Sequence, residues 1–295
     1  MSARESREIV PHVFLTRFNI PANRLEERIY NEQWLQERIE LFERYTLPSV
    51  RAQDPRSRHW LVYLGDQSPS WLVHRMAALA EDGLLKPIYL SGPLAPGELQ
   101  DHIRDVTGIR AGLVTSANLD NDDAVAANFL ERARSVDWVR ERSALTFANG
   151  LVRNDHSLRE FRYPENPFII VADRLEVANF TTCWSDWHNR LHRHVFMTVL
   201  EGGPAWLQVV HQRNVSNRVR GRLTDPSEYS PNFPGMFEDI TPPSAGERIR
   251  DAVFENPRRK VRDGVRGWAA ETGRQILGQQ RVDEVKDRLM RWRRA

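Results

Sequence analysis

Three carboxylates stand within four residues at Asp120-Asn121-Asp122-Asp123. So dense an acid cluster repels itself unless something positive neutralises it. A divalent cation held together with phosphates is the usual remedy, because Mg²⁺ and Mn²⁺ prefer oxygen ligands and keep open positions. In extended chain Asp120 and Asp122 point to the same side. One can then meet a sugar hydroxyl or nucleotide while the other holds the ion, or the two can share it. The competing reading is that Asp122 or Asp123 caps a helix starting near residue 124. An EF-hand loop is excluded, since Val125 and Glu131 stand where a Gly and the bidentate Glu belong if counting starts at Asp120. No GxxxxGK[ST], GxGxxG or GxSxG pattern occurs, so a P-loop, a dinucleotide fingerprint and a nucleophile elbow have no support.

The elements that would position the acids read as strand and helix in alternation. Strands are expected at 12–19, 59–64, 86–90 and 111–119, the last running straight into the acids. Helices are expected at 32–45, ended by Pro48, and at 71–81, 97–106 and 124–136. Such spacing predicts parallel β/α units with helices on both faces of a sheet, a fold that binds ligands at the carboxyl ends of its strands. Shorter strands follow at 145–152, 161–163, 168–172 and 206–210, then a Pro-rich loop over 226–243. The expected division is a catalytic α/β domain over 1–240 and a basic helical extension over 241–295.

Composition sets the frame. The chain has 295 residues, 40% apolar and 28% charged, with 9 Trp, 12 Phe and 6 Tyr, which fits a folded globular protein. Apolar runs reach about five residues, short of the roughly 20 that span a bilayer, and residues 1–8 do not resemble a signal peptide. A single cysteine, Cys183, excludes an internal disulfide and makes a reducing cytoplasm the expected compartment. The net charge is only +2, but residues 241–295 carry 14 Lys/Arg against 8 Asp/Glu. There Val282, Val285, Leu289 and Trp292 recur at helical spacing among Arg288, Arg291, Arg293 and Arg294. That pattern suits packing on the catalytic domain or a second subunit, or peripheral contact with the inner face of a membrane. Nucleic acid is not expected, because no recognition motif accompanies the charge.

An ordered set of motifs narrows the class. Residues 14–19 (FLTRFN), 47–53 (LPSVRAQ), 118–124 (NLDNDDA), 147–150 (FANG) and 166–168 (NPF), with His211 and 214–216 (NVS), resemble the bacterial "putative rhamnosyltransferase" family of GT-A glycosyltransferases. The likeness spans roughly residues 10–220. It implies a GT-A-like, Rossmann-like mixed sheet flanked by helices, a DxD-bound Mn²⁺ or Mg²⁺, and a dTDP-, UDP- or GDP-linked sugar donor. The sugar would pass to a hydroxyl of a glycan or lipid-linked acceptor. One departure is Asn118, where the family's pattern carries a basic residue; Arg110 is the candidate substitute.

The same resemblance distributes roles. Asp122, Asp120 and His211 are the metal candidates, and a strand-end His is otherwise an ordinary hydrogen-bonded residue. Thr16, Arg17, Asp66, Arg110, Asn118 and Asp120 are the donor candidates, with Arg17 suited to phosphate and Asp66 to a base imide, or merely to a turn. Asp186, expected to start a helix, is the candidate general base, with His188 as the alternative and helix capping as the bland reading. Asn149, Gly150 and Trp184 are candidates for the acceptor cleft. Transfer would pass through an oxocarbenium-like state with the metal stabilising the leaving diphosphate. The rivals are a GT-A-like glycan- or partner-binding protein without activity, favoured by Asn118, and a membrane-surface adaptor using the basic tail.

Overall fold

The computed structural model describes residues 9–20, 30–95, 97–136, 138, 142–211, 219–259 and 262. In chain order the first half runs β1 (His12–Arg17), α1 (Glu32–Leu41), α2 (Leu47–Arg51), β2 (Arg58–Gly65), α3 (Ser70–Ala80), β3 (Lys86–Leu90), α4 (Glu98–Thr107), β4 (Leu113–Asn118), β5 (Ala124–Val125) and α5 (Phe129–Arg134). The second half runs β6 (Ser143–Phe147), β7 (Asn149–Arg153), β8 (Leu158–Arg162), β9 (Ile170–Arg174), β10 (Phe196–Leu200), β11 (Trp206–Val209), β12 (Arg222–Thr224) and α6 (Ala245–Arg250).

Seven strands form the main sheet in the order β10-β6-β9-β4-β1-β2-β3. β1 pairs in parallel with both β2 and β4, β2 with β3, and β6 with β10; β9 runs antiparallel between β4 and β6. This is the mixed, helix-flanked sheet that the resemblance implies. Side-chain alternation divides the core between the two faces. Phe14, Trp60, Val62 and Leu64 face one way, with Leu35, Phe42, Val50, Leu72 and Phe129 from the helices. Val13, Leu15, Leu61 and Tyr63 face the other, with Ile103 of α4 and the segment around Leu175, Cys183 and Leu191.

A second sheet, β12-β8-β7-β11-β5, packs on Tyr45, Phe233, Met236 and Phe237. The acidic turn joins the two sheets, leaving β4 in one and entering β5 in the other. This corrects the helix expected at 124–136. Ala124 and Val125 pair antiparallel with Leu207 and Trp206, and helix begins only at Phe129. A distant strand outcompetes local helix propensity here.

Pro48 does not end the first helix. A π turn over Phe42–Thr46 intervenes, with the Leu47 N–H bonded to the Phe42 carbonyl, and Pro48 falls in the first turn of α2. Strands β10 and β12 carry no expectation from the sequence; both are edge strands. The Pro-rich stretch is turns and one short 3₁₀ segment, Pro226–Glu228.

The start of the C-terminal extension is helical as expected. Ser244 opens α6 with a reciprocal capping box to Glu247, and a π turn, Asp251–Glu255, carries it on to residue 259. It is tied to the second sheet. Asp251 accepts from Arg159 at 2.7 Å, from the Leu223 N–H at 2.9 Å and from Arg259. The amphipathic pattern at 282–292 lies outside the described residues.

Candidate active site

The acidic turn is built by its neighbours before it can bind anything. Asn121 donates to the Phe18 carbonyl at 2.7 Å and accepts from Arg38 Nη1 at 3.2 Å. Asp123, fully buried, accepts from the Val209 N–H at 2.9 Å, which fixes the turn to β11. Its other oxygen has no protein partner, and its carboxyl is held well above the usual range by burial and then by Asp122 and Asp120. Thr16 donates to the Leu119 carbonyl at 2.7 Å and accepts from Trp60 Nε1 at 2.9 Å. Its buried hydroxyl therefore fastens the turn to β1. The donor contact expected of Thr16 is corrected to a supporting role.

Asp122 is the electrostatic centre. Its Oδ2 lies 2.5 Å from Arg38 Nη1 and 3.0 Å from His211 Nε2. Burial, the strongest influence, pushes this carboxyl up, but His211 and Arg38 together hold it below its ordinary value. The sequence reading missed Arg38, although the signal was there. It falls three residues after Leu35 and four before Phe42, on the buried stripe of α1, where an arginine requires an acidic partner.

Asp120 faces solvent at the same edge. Its carboxyl is raised by desolvation and by Asp122, against a 3.2 Å bond from Asn118 Nδ2 and the charges of Arg17 and Arg38. Asn118 also accepts from Trp184 Nε1 at 2.8 Å. The guanidinium of Arg17 lies 4.3 Å from the centre of the Trp184 ring, whose other neighbour is Tyr63 at 5.2 Å. Arg17, Asn118, Asp120 and Trp184 thus form one network across the carboxyl ends of β1 and β4. Trp184, expected in an acceptor cleft, stands against the donor candidates. Asp66 follows β2 at the same edge, its N–H bonded to the Leu90 carbonyl.

Arg110 is corrected outright. It precedes β4, so a six-residue strand separates it from the acids, and its neighbour is Asp105 at 4.0 Å. It cannot replace the charge absent at Asn118. Arg17 brings a cation to that place instead.

Of the residues expected at an acceptor, Asp186 starts no helix; it lies in a turn before the 3₁₀ segment Leu191–Arg193. Its carboxylate accepts from the Trp187 N–H at 2.7 Å and meets His194 Nε2 at 3.0 Å, and that backbone bond leads the causes keeping it below its ordinary pKa. The sequence assigns His194 no role. His188 stands 3.5 Å from the Tyr163 hydroxyl, its pKa lowered by burial. Asn149 donates to the Gly202 carbonyl at 2.8 Å. Gly150 has a packing role, because a Cβ there would come within 2.0 Å of the Trp206 indole. Gln53 and Asn166, both in the motifs, are buried amides. Gln53 ties α2 to Ala126 and Leu130, and Asn166 bonds Phe147 and Tyr163.

Among the described residues, no group of three or more His, Cys, Asp or Glu side chains stands arranged around a metal position. Asp122 and His211 are the pair whose chemistry suits one. In this structure they hydrogen-bond each other at 3.0 Å, and Arg38 faces the same Asp122 oxygen at 2.5 Å. Carboxylate and imidazole suit Mn²⁺, and Mg²⁺ is commonly held by one or two carboxylates with substrate phosphates completing the shell.

The ordered motifs and the geometry they build agree with the family comparison. The chain belongs to the "Putative rhamnosyl transferase" family, whose profile matches residues 11–223. No curated protein matches it. Among solved structures it is similar to residues 1–349 of S. aureus TarS in complex with UDP-GlcNAc, at 12% identity and a TM-score of 0.44, covering 72% of this chain and 62% of that one. It is also similar to HddC from Yersinia pseudotuberculosis, at 8% identity and a TM-score of 0.32, covering 66% and 91%. This chain therefore spans less than two thirds of that TarS fragment. Among the described residues no helix is long and apolar enough to cross a membrane.

Proposed function

We propose that the protein moves a sugar, rhamnose by the family's name, from a nucleotide-diphosphate donor to an acceptor hydroxyl, with a divalent cation at Asp122 and His211. The observation that carries this reading is the meeting of Asp120, the Asp122–His211 pair, Arg17 and Trp184 at one sheet edge. Open α/β sheets bind nucleotides at that edge.

Arg17 offers its planar fork to phosphate oxygens. Asp120, accessible and already oriented by Asn118, accepts hydrogen bonds from ribose or sugar hydroxyls. When bound, the cation supplies Lewis-acid stabilisation of charge on the departing diphosphate. As the bond from the anomeric carbon to phosphate breaks, the acceptor oxygen bonds to that carbon and its proton passes to a base. Asp186 takes that role; its ionised carboxylate is held in place by Trp187 N–H and His194. His188 is the weaker candidate, its ring being engaged with Tyr163.

Thermal-shift titration with dTDP, UDP and GDP, each with and without Mn²⁺, tests the reading. At about 100 times Kd a ligand adds roughly 2.7 kcal/mol of stability, so a metal-dependent rise in Tm with at least one diphosphate is expected. Asp122→Asn should abolish the metal-dependent part. No metal-dependent shift with any of the three would overturn the proposal.

A further inference from the structure

Trp187 is 70% exposed, whereas every other described tryptophan is buried or half-buried. Trp60, Trp184 and Trp206 each spend the indole N–H on a bond inside the fold. The Trp187 indole stays in water, a poor solvent for so large an apolar face. The turn that carries it is held from both sides. The Trp187 N–H donates to Asp186 Oδ1 at 2.7 Å, and its carbonyl accepts from the Arg190 and Leu191 N–H groups at 2.7 and 3.1 Å. Leu191 is fully buried and anchors the far side. An aromatic ring presented on a fixed turn loses little conformational entropy when something covers it.

The same segment ties this ring to the candidate active site. The Cys183 N–H donates to Ser116 Oγ of β4 at 3.1 Å, and Trp184 Nε1 donates to Asn118 at 2.8 Å. Asp186 and Trp187 follow Trp184 by two and three residues, so their Cα atoms lie within about 7 and 11 Å of it even at full extension. The surroundings name the occupant. Ser185, Asn189, His192, Arg193 and His194 are exposed and polar, and the Asp186 carboxylate meets His194 Nε2 at 3.0 Å. Trp187 is the one exposed apolar side chain over 185–194; the next along the chain is Phe196, on β10. A lipid tail or an apolar protein face needs a contiguous apolar patch, which one indole in a polar ring does not supply. A pyranose matches both parts. One face of its ring carries C–H groups that lie against the negative π face of an indole. Its rim of hydroxyls needs donors and acceptors such as His194 and Asp186.

We propose that Trp187 is the platform on which the acceptor stacks, so that the acceptor is a pyranose residue of a glycan with its reacting hydroxyl directed to Asp186. The inference rests on the sugar-transfer reading and deepens it by naming the acceptor class and a residue that binds it. It moves the platform from Trp184, whose indole is engaged with Asn118 and Arg17, to Trp187.

Indole N–H NMR spectra of the full chain give the test, with Trp187→Phe identifying the Trp187 signal. The probes are the methyl pyranosides of rhamnose, glucose and galactose, beside glycerol as an acyclic polyol. The Trp187 signal should shift with at least one pyranoside and stay still with glycerol. Affinity for that pyranoside, read by saturation-transfer titration, should fall roughly tenfold in Trp187→Ala and largely return in Trp187→Phe, with circular dichroism unchanged in both. A Trp187 signal unmoved by every pyranoside overturns the proposal, and so does undiminished affinity in Trp187→Ala. A shift with lipid bicelles and with no pyranoside overturns it too, by making lipid the occupant. The Mn²⁺-dependent thermal shift of the wild type with nucleoside diphosphates separates this inference from the reading beneath it. That shift without any pyranoside effect refutes the acceptor assignment alone. A pyranoside effect without that shift supports the sugar platform while the transfer reading falls.

Discussion

Arg38 and Asp122 form a buried ion pair at the heart of the acidic turn, and replacing Arg38 by Met exposes what that pair does. Their side chains are 10% and 7% exposed, and the facing atoms are 2.5 Å apart. Breaking a buried pair from one side costs about 3–5 kcal/mol, because the remaining charge is left desolvated. His211 still faces the same oxygen at 3.0 Å, so the lower end, about 3 kcal/mol, is expected. For a chain of this size that lowers Tm by about 6–10 °C. Asp122→Asn alone should also destabilise, since it strands Arg38 among Leu35, Ile39 and the turn. The double variant should lose less than the two losses added, with a coupling of about 2 kcal/mol. Urea denaturation of the four proteins measures it. Additivity within about 0.5 kcal/mol would refute the reasoning. Arg38 would then be a bystander, and the order of the turn would rest on Asn121 and Asp123.

Two further outcomes follow from geometry away from the acids. Gly150→Ala drives a Cβ into Trp206, which cannot retreat because it stacks on Phe168 at 5.2 Å and donates to the Phe147 carbonyl at 2.9 Å; a loss of about 1–3 kcal/mol is expected in thermal melts. Asp251 titrates below its ordinary value of 3.8; burial pushes it up, but the Leu223 N–H, Arg159 and Arg259 outweigh that. Its contribution is therefore complete above about pH 4 and is lost as pH falls through its lower folded value. Protection factors for amide exchange over residues 245–259, corrected for the intrinsic pH dependence, should hold from neutral pH down to about 4 and fall below it, whereas Asp251→Asn should show low protection already at neutral pH.

The first four strands were legible because each is a buried run with a clear end, and because parallel β/α units place strand ends on one edge. That rule, together with the family resemblance, brought Arg17, Asn118, Asp120 and Asp122 together. What escaped the sequence depended on partners far along the chain. Ala124-Val125 is a strand only because β11 pairs with it; Arg110, by contrast, could have been set aside from the sequence, since the strand expected at 111–119 already separates it from the acids. Thr16 and Gly150 have residue types that suit a site, yet their neighbours, Leu119 and Trp206, assign them to the frame.

Arg38 joins these two lessons. Three aspartates in four residues are unstable as a bare turn, so the fold must hold a cation close to them whether or not a ligand is bound. The sequence reading supplied that cation from outside, as a metal. The structure shows that the chain supplies one itself, from the buried face of α1, while Asp120 stays exposed. An internal cation allows the acidic turn to fold before any donor arrives. Under the proposed function, a metal would be needed only for the charge that a diphosphate brings with it. It follows that Asp122→Asn should impair folding and metal-dependent binding together, whereas Arg38→Met should impair folding first.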